Sequence, residues 1–200
     1  MPWLFGFSYE GKFAATGLLF SNVAAQDAFF DSQGYAKGWK SGLVIPEEVV
    51  PKEVIMTKGK RLYDFISVQG APLVSERFKT LVDNIEPGAH QFFPVSVIDA
   101  QTRSTLPDRR FVFNIATEIE AIIESQSNVH AEGRGQLKGW SYTMQPGPWR
   151  MSLDKQQIEK RACWTDKRYP RHWFASNALI AGVNDAEMEG ISLLEQCVET

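Results

Sequence analysis

The chain has 200 residues, 44% of them hydrophobic and 22% charged, with a formal net charge of -3. This length and composition suit one folded domain with a sizeable core and exclude an intrinsically disordered chain. The acidic balance gives no general attraction to a phosphate backbone, so nucleic acid is not an expected partner.

No run approaches the roughly 18 apolar residues of a membrane span, since Lys12, Gln26 and Asp27 interrupt the longest ones, and no membrane association is expected. The opening Met1-Pro2-Trp3-Leu4-Phe5-Gly6 lacks the basic segment of a signal peptide, so the cytoplasm is the expected location. Cys163 and Cys197 have no CxxC or metal-ligand spacing. One disulfide is arithmetically allowed, but two reduced and at least half-buried thiols are the expectation for a chain without an export signal.

Residues 1 to 42 are rich in aromatic and small residues, with Gly34, Gly38 and Gly42 near their end. They read as loops with a short helix from Ala24 to Phe30, forming an N-terminal extension packed on the rest. From Leu43 to Ser67 the β-prone runs Leu43-Val44-Ile45, Val54-Ile55-Met56 and Phe65-Ile66 alternate with Pro46, Pro51 and Gly59, as short strands or extended connections do. Ser75 is placed to cap a helix with Phe78, Leu81, Val82 and Ile85 on one face, ended by Pro87-Gly88. Strands over Gln91 to Asp99 and Phe111 to Thr117 follow, separated by a polar loop holding Arg103, Pro107, Asp108, Arg109 and Arg110.

Residues 125 to 150 contain Gly133, Gly135, Gly139, Gly147, Pro146 and Pro148, a loop-rich stretch anchored by Trp140, Tyr142 and Trp149. Asp154 with Gln157 three positions later resembles a capping box opening a short helix through Ile158 and Ala162. Ala175 to Glu189 reads as a second long helix through Leu179, Ile180 and Val183, and Ile191 to Val198 as a terminal strand. Helices and strands mix without regular βαβ alternation. The predicted fold is α+β over residues 1–200 as a single domain, a mostly antiparallel or mixed sheet with two longer helices packed on it.

No nucleophile elbow, P-loop or HExxH pattern occurs, and Gly133-Arg134-Gly135 lacks the third glycine, preceding strand and following helix of a dinucleotide site. His90, His130 and His172 are far apart in sequence. Around His172, basic and aromatic residues interleave from Arg168 to Trp173 as they do in single-stranded nucleic-acid sites, but in an acidic chain the expectation is Tyr169 and Trp173 packing with surface arginines. No catalytic, cofactor or metal residue is assigned, and no small-molecule substrate is expected. After His172 the acids Asp185, Glu187, Glu189, Glu195 and Glu199 face no Lys or Arg. That segment is either a solvated face with a frayed tail or a docking surface for a basic protein, with Asp185, Glu187, Glu189 and Glu195 as the contact residues.

Leu73-Val74-Ser75-Glu76-Arg77-Phe78, continuing through Ile85-Glu86-Pro87-Gly88-Ala89-His90-Gln91-Phe92-Phe93-Pro94-Val95, resembles the signature stretch of a bacterial family. It is the eleventh-numbered immunity-protein family of polymorphic toxin systems, formerly a domain of unknown function. Asp64-Phe65-Ile66, Phe111-Val112-Phe113-Asn114-Ile115 and Trp173-Phe174-Ala175-Ser176-Asn177-Ala178-Leu179 match in order, so the resemblance covers about residues 43–198. It implies a cytoplasmic antidote, encoded beside a toxin gene, that binds and blocks its toxin without enzymatic activity. The shared motif reads as scaffold, with the toxin-contacting surface elsewhere. Two other readings stand beside it: an enzyme whose site assembles from His130, His172, Cys163 and nearby carboxylates, and a general protein-interaction module.

Overall fold

A computed structural model describes residues 1–8, 17–33, 38–40, 42–59, 61–133 and 140–200, without the side chains of residues 140–142. Strand β1 (Trp3–Phe7), β2 (Leu18–Phe20) and helix α1 (Ala24–Ser32) open the chain, and α1 lies where the short N-terminal helix was expected. β3 (Glu53–Met56), β4 (Phe65–Val68) and β5 (Ala71–Ser75) follow. Gln69 and Gly70 alone connect β4 to β5, with φ of 48° and 87°. Two successive left-handed residues form the tight hairpin turn whose twist suits the flanking strands.

Ser75 both ends β5 and caps α2 (Glu76–Ile85), its hydroxyl accepting the Phe78 N–H at 3.3 Å. Phe78 and Val82 are fully buried and Leu81 and Ile85 half-buried, so the helical spacing read from the sequence is the packed face. β6 (Gln91–Asp99) buries Phe93, Val95 and Val97 and exposes Pro94 and Ser96. Pro94 is tolerated in mid-strand because β6 pairs with β3 only from Ser96 onward. β7 (Arg110–Asn114) starts at Arg110, which is therefore drawn out of the polar loop into the core at 6% exposure. Its Nη1 donates to the Tyr63 carbonyl at 2.6 Å and its Nη2 to that of Leu62 at 3.2 Å.

The remaining elements are β8 (Glu118–Ile119), β9 (Val129–Gly133), β10 (Trp140–Met144), β11 (Ser152–Leu153), α3 (Lys155–Ile158), β12 (Cys163–Asp166), β13 (Tyr169–Ala175), α4 (Asn177–Asp185), β14 (Ile191–Gln196) and β15 (Val198–Glu199). β9 and β10 pair as an antiparallel hairpin inside the stretch read as loop, where glycine and proline obscured the strands. The first helical turn of α3 is also its last. Asp154 caps it through the Gln156 N–H at 2.9 Å, not through a reciprocal box with Gln157. α4 is shorter than Ala175 to Glu189 because Ala175 belongs to β13 and Ser176 is the cap, accepting the Leu179 N–H.

β2, β3, β6, β7, β5 and β4 form a six-stranded sheet in that order, antiparallel except for the β3–β6 pair. The sheet curls until its two edges meet: the Phe20 N–H of β2 donates to Gln69 Oε1 beside β4 at 2.7 Å. Leu43-Val44-Ile45 is not one of its strands. The Gln91 carboxamide accepts the Ile45 N–H at 2.8 Å and donates to the Ile45 carbonyl at 2.9 Å, while Asn114 donates to the Leu43 carbonyl. Two side chains thus supply the hydrogen bonds that a neighbouring strand would.

The second large sheet has the order β14-β1-β13-β12-β8, antiparallel except for β12–β8. Three apolar clusters are formed by the described residues. One occupies the inside of the curled sheet and includes Leu18, Val54, Met56, Val68, Leu73 and Val97. Another lies where the outside of that sheet, α2 and α4 meet one face of the second sheet, joining Phe65, Phe78, Phe113, Trp173 and Leu179. The third covers the opposite face of the second sheet, around Trp164, Phe174, Met151 and Leu153. β1 serves both faces, Phe5 and Phe7 on one and Leu4 on the other, so the opening residues are built into the sheet.

Candidate functional site

The acidic residues singled out near the end of the chain occupy two places. Asp185 is the last residue of α4, and Glu187 and Glu189 lie in the turn that leads to β14. Glu195 lies on β14, opposite Leu4 of β1. Asp185, Glu187 and Glu195 are exposed, whereas Glu189 is half-buried and ion-paired with Arg61. The acids expected to act as one surface are therefore a turn of three, one of them already engaged, and a separate fourth on the sheet edge.

The turn is held by signature residues. Asp64, itself buried, accepts from the Ser75 hydroxyl at 2.7 Å, from both Nε and Nη2 of Arg77, and from the Glu189 N–H at 3.0 Å. The Arg77 Nη1 donates to the Ala186 carbonyl at 3.0 Å. Burial alone would raise the Asp64 pKa, but the bonds from Arg77, Glu189 and Ser75 outweigh it and hold the carboxyl below its ordinary value. Beside this fork runs an open groove of about 760 Å³ between α2 and the end of α4, lined among others by Arg77, Leu81, Asn84, Gly182 and Met188. Gly182 permits the close approach of the two helices, since a Cβ there would stand 2.5 Å from Leu81 Cδ1.

The other polar signature residues also close on one another. Glu86 follows the last turn of α2 and is buried; its carboxylate accepts from Arg161 Nη1 and the Ala162 N–H, both at 2.8 Å, and lies 3.3 Å from His90 Nε2. Burial pushes the Glu86 pKa up, yet the contacts to His90, Arg161 and Ala162 bring it below its ordinary value. Cys163 Sγ is 3.5 Å from the same His90 nitrogen. Sulfur, imidazole and carboxylate thus adjoin, but this is not a nucleophile relay. Sulfur and carboxylate share Nε2 while Nδ1 has no hydrogen-bond partner, and the thiol is completely buried. Burial, with the Glu86 charge adding to it, drives the thiol pKa well above 9.0, so the thiolate that attack requires is suppressed. The cluster joins the end of α2 to the start of β12.

The histidines named for an assembled site each keep local partners. His130, on β9, contacts Glu132 at 2.7 Å and the Thr143 hydroxyl, and His172 stacks on Tyr169 with ring centroids 4.1 Å apart. Tyr169 and Trp173 are buried, as the interleaved hexapeptide implied, and Lys40 Nζ lies 4.5 Å from the centroid of Trp173. Trp149 donates from Nε1 to the Gln196 carbonyl. Gly34, Arg134, Gly135 and Gly139, together with the anchoring side chains of Trp140 and Tyr142, lie outside the described part of the structure. Cys163 and Cys197 are both unpaired and buried, and burial pushes the Cys197 thiol up to about 12. Among the described residues no group of three His, Cys, Asp or Glu could hold a metal ion, and no helix is long and apolar enough to cross a membrane.

A family model describing the immunity protein family Imm11 matches residues 22–197. The chain belongs to this family, and its role is that of an immunity protein. Among curated proteins none matches it. The match covers both sheets except β1 and β2, and it includes Asp64, Arg77, Glu86 and His90, whose bonds define the two polar clusters.

Proposed function

We propose that the chain is a non-catalytic antidote that binds one cognate bacterial toxin in the cytoplasm, working as a single domain over residues 1–200. The observation that carries this reading is the family match together with the fate of its polar signature: Ser75, Arg77, Glu86 and His90 bond inside the fold. Those residues build a frame and leave the outer surfaces for recognition. Asp185 and Glu187, which have no ion-pair partner among the described residues, give the α4–β14 turn an acidic face suited to a basic toxin. Glu189, paired with Arg61, and Glu195, apart from the turn on β14, are the other residues of the proposed contact set.

Co-expression with the product of the neighbouring toxin gene tests the reading. Growth rescue and a co-purifying one-to-one complex are expected; neither rescue nor complex would sink it. The acidic face has its own test. Reversing Asp185→Lys and Glu187→Lys together should slow association several-fold at low salt and much less at high salt, because screening removes steering between exposed charges. An on-rate unchanged at low salt removes these residues from the contact surface.

A further inference from the structure

Building on the toxin-binding reading, we infer that the outer edge of the second sheet, centred on Leu193 and Leu194 of β14, is the apolar centre of the toxin interface. Among the described residues six large apolar side chains are exposed, and four of them, Met1, Leu193, Leu194 and Val198, gather along β14, β15 and the chain start beside them. The Met1 amino group lies 3.6 Å from Glu199 Oε1, and the Cys197 N–H bonds the Pro2 carbonyl, which brings these segments together.

Among the described residues β14 is the outermost strand, paired only with β1 on its inner side. Its register slips between Leu4 and Phe5 of β1, so Leu194 is the extra residue of a bulge between Leu193, opposite Phe5, and Glu195, opposite Leu4. A strand that covers a core normally buries every second side chain. Here neither alternate set is buried: Leu193 is 37% and Leu194 54% exposed, on a strand with no fully buried residue. Leu194 lies beside Gly6, where a Cβ would stand 3.8 Å from Leu194 Cδ1 in ordinary contact. The bulge and Glu195 also blunt this edge against indiscriminate strand pairing.

The patch has the form of an interface centre with a charged rim. Glu195 interrupts it and Asp185 and Glu187 stand in the turn ahead of the strand, while at the other end the Met1 ammonium lies 3.6 Å from Glu199 and Lys155 bonds the Thr200 carbonyl through its N–H. Its occupant is accordingly a toxin surface with an apolar centre and cations set against Glu195 and the α4–β14 turn. A second copy of this chain fits poorly, because a twofold contact would set the same carboxylates against each other.

The test uses a catalytically inactive form of the neighbouring toxin as the probe and measures its Kd for the full-length chain. Leu193→Ser with Leu194→Ser should weaken binding by about thirtyfold, the loss expected of a central hot spot. Leu19→Ser with Val44→Ser, which alters the two exposed apolar residues elsewhere, should change it by no more than about twofold. Equal affinities for both variants, or the larger loss in the second, overturn the assignment while leaving the antidote reading intact; failure of the unaltered protein to bind overturns both. Hydrogen exchange of the unaltered complex asks the same question without a variant. Residues 191–196 should gain protection on toxin binding, and unchanged exchange there refutes the proposal. Concentration-dependent self-association abolished by the Leu193/Leu194 variant would assign the patch to a second copy and overturn it too.

Discussion

Gly190 joins the acidic turn to β14 with a φ of 97°, and a Cβ built there would stand 2.0 Å from the Phe65 carbonyl oxygen. Both the left-handed backbone and the contact with main chain forbid a side chain, and neither can relax without moving β4. Gly190→Ala should lower unfolding free energy by about 3 kcal/mol, measured by urea denaturation; a loss below about 1 kcal/mol would mean that the turn shifts freely. The sequence places Gly190 between the second long helix and the terminal strand, but does not show the strand it presses against. Arg110 carries the same lesson. Beside Arg109 in a polar run it looked solvated, yet it lies buried because two carbonyls of residues 62 and 63 wait across the sheet. A charged side chain follows its hydrogen-bond partners, and these are not neighbours in sequence.

At the scale of elements, α2 was legible almost to the residue, since its cap, its apolar stripe and its Pro-Gly stop are all local signals. Ser75 does two things there: it caps Phe78 and donates to Asp64. Ser75→Ala should therefore cost more than the ~1 kcal/mol of an ordinary cap, nearer 2 kcal/mol, because a buried carboxylate loses a donor. The comparison with Ser176→Ala, whose hydroxyl caps Leu179, checks this; equal losses would show that the Asp64 contact adds nothing. β9, β10, β12 and β13 were missed or read as loops, and Leu43 to Ile45, offered as a short strand or an extended connection, lies in no strand. Short runs with glycine, proline or charge carry no usable period, and strand identity there rests on which backbone lies alongside.

For the whole molecule, Asp64 and Glu86 connect distant elements as buried carboxylates whose folded-state pKa values lie below their ordinary 3.8 and 4.5. A depressed acid contributes stability that is present above its unfolded-state pKa and is lost as the pH falls through its folded-state value. Asp166, raised mainly by burial, works in the opposite sense. The urea midpoint should thus fall as the pH is lowered from about 5 toward 2, and Asp64→Asn with Glu86→Gln should flatten that acid limb. An equally steep limb in the double variant would place the acid sensitivity elsewhere.

The sequence by itself determined the class of fold, the well-patterned helix and strand at its centre, the family, and the expectation that the signature is scaffold, since each depends on local periodicity or on a contiguous motif. The acidic segment was also visible, but as one surface. Only the tertiary structure divided it between a turn and a sheet edge, tied Asp64 to Glu189 across 125 residues, and left Leu193 and Leu194 uncovered on β14. Those outcomes depend on which strands become neighbours and which strand is left outermost, and a chain written in one dimension does not carry that adjacency in any short stretch of residues.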